Sequence, residues 1–169
     1  MEICERFSYY GLRAILVMYL TQGLGLSENT SISIFSYSNA VAYTTPLLGG
    51  VLSDTRLGKF KTILYLSVVY VFGSVILAAT ATLPALWGAI LGLFFIATGT
   101  GGIKPCVSSF GAEQFTVQDA PMLTSYFHAF YFAINLGAVS SFVITPFLRD
   151  VPRLCFPVAF GVPAVLLAV

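Results

Sequence analysis

The sequence predicts an all-α membrane protein with about five or six transmembrane helices. Hydrophobic residues make up 57% of its 169 residues, and the mean hydropathy is +0.90. Charged residues make up only 9%, whereas a typical soluble domain carries about 25%. The apolar residues also fall into successive runs of about 20 residues, the length that crosses a bilayer as a helix. Lipid is therefore the expected solvent of this chain.

Six apolar segments follow one another along the chain. The predicted spans cover about residues 2–24, 32–52, 62–81, 86–110 and 123–148, and a sixth begins at about residue 156. In the fourth, Gly88 and Gly92 have the four-residue spacing that permits close helix packing. Met1 lies almost inside the first span and residues 163–169 stop within the sixth. We therefore expect a fragment of a longer protein, with the sixth helix incomplete.

The loop after the second span carries the charge that predicts orientation. Asp54, Arg56, Lys59 and Lys61 lie within it, and basic residues in short loops favour the cytoplasmic side. The amino end is then cytoplasmic too. Asp54 could cap a helix or gate the cytoplasmic face by pairing with a helix end. We favour a structural role for this candidate gating loop, in closing the cytoplasmic face.

Charged and aromatic residues line one side of the first predicted helix. Its stripe, at spacings of three, four, seven, eight and eleven residues, consists of Glu2, Glu5, Arg6, Tyr9, Tyr10 and Arg13. A charge inside a bilayer costs at least about 2.5 kcal/mol even on a lenient scale. Such groups normally face a protein interior or a water-filled cavity, so the stripe is a candidate site.

Lys104, late in the fourth span, is the predicted partner of this stripe. The first helix runs outward and the fourth runs inward, which brings Lys104 to the depth of Glu5 and Arg6. These two helices also begin successive three-helix repeats, the architecture in which transporters build their sites. We expect Lys104 to face Glu2, Glu5 and Arg6 across a central cavity.

The stripe has the chemistry of a proton-coupled carrier. A carboxylate beside a cation is ionised, whereas a desolvated carboxylate without a partner holds a proton. A proton on Glu2 or Glu5 would therefore loosen the pairing with Arg6 or Lys104. Arg13, nearer the middle of the span, is left to hold an anionic substrate group.

A plainer interpretation is that the acidic end of the stripe is interfacial. In that case Glu2, Glu5 and Arg6 would extend their charged ends to the lipid headgroups. Arg13 and Lys104 lie too deep in their spans for this interpretation.

Four motifs in order resemble the proton-dependent oligopeptide transporter family of the major facilitator superfamily. They are Glu2-x-x-Glu5-Arg6-Phe7-x-Tyr9-Tyr10-Gly11, the loop from Gly50 to Thr62, Gly101-Gly102-Ile103-Lys104-Pro105, and the segment from Phe130 to Gly137. They cover most of the chain, and the closest likeness is to the animal-type peptide transporters. The resemblance implies the amino-terminal six-helix bundle of such a carrier, truncated in helix 6, with the carboxyl-terminal half absent.

The resemblance also implies import of di- or tripeptides with protons by alternating access. Glu2, Glu5 and Arg6 resemble the family's proton-coupling cluster, with Lys104 as their partner. Arg13 and Lys104 resemble residues that hold the peptide carboxylate, Tyr9 and Tyr10 line the pocket, and Asn135 resembles an amide that contacts the peptide's amino end or backbone. The implied partners are peptide, protons and lipid, with no cofactor beyond the coupling proton.

Two positions depart from the family pattern. Ser36, between Phe35 and Tyr37, stands where intestinal and renal-type members carry a proton-sensing histidine. Proton coupling would then depend on the first-helix carboxylates, as in microbial members. Arg56 replaces a residue that is more often apolar in the family.

Other classes of function lack support in the sequence. A net charge of +1 argues against a nucleic-acid partner. Cys4, Cys106 and Cys155 lack the spacing of a metal site or an evident disulfide. The sequence also shows no nucleophile paired with a base, so it does not predict an enzyme. The one histidine, His128, is expected to be a packing residue.

Two alternatives to peptide import stay open. A carrier of the same fold could transport nitrate, histidine or another small solute. The chain could also be a truncated membrane protein that does not transport. We expect a multi-pass protein of the plasma membrane, with an endosomal or lysosomal membrane as the other option.

Overall fold

The computed structural model describes residues 2–82, 85–116, 120–149, 156–158, 160–161 and 165. Five long helices account for most of these residues, and none of the described residues forms a strand. They are α1 (Glu2–Met18), α2 (Glu28–Leu52), α3 (Lys59–Thr82), α4 (Leu86–Ala112) and α5 (Ala120–Arg149). Most of the predicted sixth span and Cys155 lie outside the described residues.

The helices follow the predicted apolar runs, but α2, α3 and α5 begin three or four residues earlier. α2 begins at Glu28 because Ser27 caps it: the Ser27 Oγ accepts a hydrogen bond from the Thr30 N–H at 3.3 Å. α3 begins directly after Gly58, whose φ of 75° is a left-handed conformation that glycine adopts without a Cβ clash. Hydropathy placed the starts of α2 and α3 late because their first helical turns contain polar residues.

Two short π-helical segments extend the first two helices. Tyr19–Gly23 continues α1, and Ser53–Leu57 continues α2. At the first of them, the Tyr19 hydroxyl donates a hydrogen bond to the Thr80 carbonyl of α3 at 3.2 Å. The sequence pattern did not predict this change of helical pitch.

Among the described residues, three helices are long and apolar enough to cross a membrane on length and composition alone. They are α3, α4 and the Ala120–Thr145 part of α5. α1 carries four charged residues, Glu2, Glu5, Arg6 and Arg13, and α2 is rich in serine and threonine. Both nonetheless pack with the apolar helices in one bundle, and neighbouring helices bury Glu5 and Arg6 of α1 and Ser31 and Thr45 of α2.

Glycines hold α4 tightly between α2 and α3. A Cβ added at Gly49 of α2 would lie 2.5 Å from the carbonyl oxygen of Gly102, and one added at Gly92 would lie 3.0 Å from that of Gly73 in α3. Gly88 faces the side chain of Thr80. The predicted close packing at Gly88 and Gly92 is confirmed. In lipid, helices associate through such close contacts between small residues.

α1 lies between α5 and the α2–α4 group. Towards α5, Gly11 faces Ser141 and Thr145, and Gly137 of α5 approaches the backbone of Ile3. On its other side, α1 contributes apolar residues to the main buried cluster with α3 and α4, among them Leu12, Ile15, Leu16 and Leu20. The charged stripe of α1 is therefore enclosed by helices.

Candidate functional site

The amino-terminal turns of α1 contain a buried ionic triad, which we define as Glu2, Glu5 and Arg6. Glu5 is only 2% exposed and Arg6 only 9%. The Arg6 Nε donates a hydrogen bond to Glu2 Oε1 at 2.7 Å and lies 3.2 Å from Glu5 Oε2. One guanidinium thus serves two carboxylates, so the triad keeps an unbalanced negative charge whenever both carboxylates are ionised.

Thr100 of α4 joins the triad from the neighbouring helix. Its Oγ1 donates a hydrogen bond to Glu5 Oε1, and the side chain is completely buried. Glu5 Oε2 accepts no hydrogen bond from the described residues and relies on the ion pair with Arg6. Sequence reasoning did not single out Thr100, although its position one helical turn before Lys104 was a usable signal.

Lys104 faces the stripe, but through an aromatic ring instead of a carboxylate. Its Nζ lies 4.2 Å from the centroid of the Tyr9 ring and 5.5 Å from that of Tyr43. The expected direct pairing with a triad carboxylate is absent from the ion pairs of the described residues. Electrostatic interaction with Glu5 remains.

Arg13 also lies close to the Tyr9 ring. Its guanidinium carbon is 5.5 Å from the centroid of the Tyr9 ring and 5.4 Å from that of Phe35 in α2. No carboxylate pairs with it among the described residues. Together with Tyr9 and Phe35 it lines a small cavity bordered by Ser38 and Asn39 of α2. Two cations, Arg13 and Lys104, therefore rest on one aromatic ring.

Tyr10 packs against the Tyr9 ring, whereas Asn135 forms a hydrogen bond within its own helix. Tyr10 is half-buried, with its ring centroid 5.6 Å from that of Tyr9 and 6.1 Å from that of Phe142 in α5. Asn135 is exposed, and its Nδ2 donates a hydrogen bond to the Tyr131 carbonyl of its own helix at 2.8 Å. The contacts of the described residues do not join Asn135 to the α1 stripe, so its role stays a prediction.

In the candidate gating loop, Lys59 connects two helices. Its ammonium forms an ion pair with Glu113 at the carboxyl end of α4. Asp54 is exposed and accepts a hydrogen bond from the Ser53 hydroxyl at 3.3 Å, whereas Arg56 and Lys61 are exposed. Asp119 of the neighbouring loop lies outside the described residues.

Three further residues, Ser36, His128 and Cys106, lie outside the group around Glu5 and Tyr9. Ser36, at the position of the expected histidine, is exposed on α2, and His128 is exposed on α5. Cys106 is buried, and its thiol donates weakly to the Gly49 carbonyl at 3.7 Å. The expected packing role of His128 stays a prediction.

Comparison with known proteins gives consistent matches. The model of the POT family matches residues 60–169. Human solute carrier family 15 member 2 is 48% identical over 179 residues, which cover 99% of this chain and 24% of that protein. Peptide transporter family 1 of Drosophila melanogaster is 47% identical over 176 residues, covering 98% of this chain and 24% of that protein.

A solved structure shares the arrangement of helices. The crystal structure of the POT family transporter PepTSo superposes with a TM-score of 0.92 at 39% identity, covering 99% of this chain and 34% of that chain. The present chain thus spans about a quarter of the length of the two curated relatives. The region matched by the family model contains α4 and begins after α1.

Proposed function

Because this chain belongs to the POT family, we propose that the transporter containing it imports di- and tripeptides together with protons by alternating access. The fold is that of an integral membrane protein of the major facilitator superfamily. The observation that carries the proposal is the buried triad of Glu2, Glu5 and Arg6, held against α4 by Thr100. Ionisable groups enclosed in a membrane protein mark proton or ion pathways.

Glu5 is the proposed proton acceptor. Its ionised carboxylate is stabilised by Arg6 at 3.2 Å and by the Thr100 hydroxyl. A proton on Glu5 removes the attraction to Arg6, which keeps its closer partner Glu2 at 2.7 Å. Because Glu5 also bonds to Thr100 of α4, its change of charge alters the contact between α1 and α4, and this coupling would let proton binding favour a change in helix packing.

The cations around Tyr9 form the proposed peptide carboxylate site. Arg13 and Lys104 both rest on the Tyr9 ring without a carboxylate partner among the described residues. A guanidinium fork suits a carboxylate because it donates two parallel hydrogen bonds. Tyr10 would border the same pocket, and Asn135 would contact the peptide's amino end or backbone from α5.

The candidate gating loop is proposed to close the cytoplasmic face, which is a structural role. The pairing of Lys59 with Glu113 spans the cytoplasmic ends of α3 and α4. Asp54, Arg56 and Lys61 would contribute charge to the same surface. We propose the plasma membrane as the location and the proton as the coupling ion, with no further cofactor.

Uptake of a labelled dipeptide into proteoliposomes tests this function in the full-length transporter. Accumulation should rise with an inward proton gradient and collapse when a protonophore dissipates it. Uptake that ignores the gradient would remove the symport proposal. A competition panel of dipeptide, tripeptide, nitrate and histidine identifies the cargo, and inhibition by nitrate or histidine alone would contradict peptide import.

A further inference from the structure

Thr100 places an uncharged hydrogen-bond donor inside the bundle, next to the proposed proton acceptor Glu5. Its side chain is fully buried and lies one helical turn before Lys104 on α4. The Oγ1 donates to Glu5 Oε1, so an uncharged group of α4 contacts the proposed proton acceptor of α1. Glu5 Oε2 accepts no hydrogen bond from the described residues, which leaves Thr100 as the described hydrogen-bond donor to this carboxylate.

The charges around Glu5 come from several helices. Its own helix presents Glu2, Arg6 and Tyr9, α3 presents Tyr70, and α4 presents Lys104. From α5, Gly137 approaches this part of α1 and brings no charge. Arg6 lies 3.2 Å from Glu5 Oε2, but it also pairs with Glu2 at 2.7 Å.

We propose that Thr100 is a positioning residue that sets the proton concentration at which Glu5 binds a proton. This proposal rests on the proposed function. A donor to a carboxylate stabilises the charged form relative to the neutral acid. The hydroxyl differs from Arg6 because it serves both states: it donates to the carboxylate and accepts from the protonated acid. Thr100 therefore keeps α1 joined to α4 while Arg6 is released to Glu2.

The test compares variants of the full-length transporter by the pH dependence of dipeptide uptake. Thr100→Val removes the hydroxyl at nearly constant volume, and Thr100→Ala removes it without added bulk. Thr100→Ser keeps the donor. Thr98→Val is the matched control, since Thr98 lies on the same helix and its hydroxyl donates to the Phe94 carbonyl of α4 at 2.8 Å.

The hydroxyl-free variants should move the midpoint of the uptake profile towards higher pH, by at most about one unit, because the hydrogen bond that the charged carboxylate accepts is stronger than the one that the protonated acid donates. Thr100→Ser and Thr98→Val should keep the wild-type midpoint. Counterflow exchange at equal pH on both sides verifies that each variant is folded and binds peptide.

Three outcomes would overturn the inference. One is a wild-type midpoint in Thr100→Val and Thr100→Ala. The second is a shift in Thr100→Ser equal to that in the hydroxyl-free variants, which would show that the packing of the side chain, and not its hydroxyl, sets the midpoint. The third is a shift to lower pH. Wild-type uptake that ignores the proton gradient would instead refute the proposed function itself, so the two failures are distinguishable.

Discussion

The ammonium group of Lys104 lies 4.2 Å from the centroid of the Tyr9 ring. The same ring is 5.5 Å from the Arg13 guanidinium. Tyr9 is only 4% exposed, so it is held firmly between α1, α2 and α4. One aromatic side chain thus sets the positions of the two cations proposed to receive a peptide carboxylate.

Removal of this ring should weaken peptide binding. Tyr9→Leu leaves both cations without their shared support, and a cation–π contact contributes about 0.5–2 kcal/mol. We expect the KM for a dipeptide to rise about two- to thirtyfold, measured by concentration-dependent uptake. Tyr9→Phe keeps the ring and should stay within about twofold of wild type. An equal loss in both variants would show that the hydroxyl, and not the ring, matters.

Replacement of the proton acceptor should uncouple transport. Glu5→Gln keeps an oxygen that accepts from Thr100 but no longer binds a proton in the physiological range. Gradient-driven accumulation should be abolished while counterflow exchange persists. Glu28→Gln is the control, because Glu28 is an exposed carboxylate in the first turn of α2. Accumulation retained by Glu5→Gln would exclude Glu5 as the coupling group.

Substitution of Arg13 should discriminate between peptide termini. Arg13→Ala removes the guanidinium, whose charge-assisted hydrogen bonds to a carboxylate contribute about 1.5–3 kcal/mol to binding. The apparent affinity for free dipeptides should fall about ten- to a hundredfold, and the affinity for carboxyl-amidated analogues should fall much less. Competition against a labelled dipeptide measures both. Equal losses for the two substrates would contradict carboxylate binding by Arg13.

A side chain at Gly49, where α2 contacts α4, should destabilise the protein. In Gly49→Ala the new Cβ would lie 2.5 Å from the Gly102 carbonyl oxygen and 2.6 Å from its Cα, and backbone atoms must shift to relieve this. Overpacking of this kind costs about 1–3 kcal/mol, so the melting temperature in detergent should fall. Gly50→Ala is the matched control, since nothing lies within 4 Å of its Cβ. An unchanged melting temperature in Gly49→Ala would show that the helices can separate freely.

The five described helices and the residues of the triad followed from local patterns. Apolar runs of membrane length predict spans because a bilayer selects for length and hydropathy, which are properties of each segment by itself. The spacing of Glu2, Glu5 and Arg6 likewise predicts one helix face, and the structure confirms that these three side chains meet. The early starts at Glu28 and Lys59 were missed because hydropathy does not register polar first turns.

The amino-acid sequence by itself determined that this chain is an all-α membrane protein and which side chains share the α1 stripe. Only the tertiary structure decided their partners across helices: Thr100 for Glu5, and the Tyr9 ring for Lys104. Depth in the membrane places Lys104 near Glu5, but the rotation of α4 about its axis and the side-chain rotamers select the contact. The glycine crossings with α2 and α3 set that rotation, and they join residues far apart in the chain.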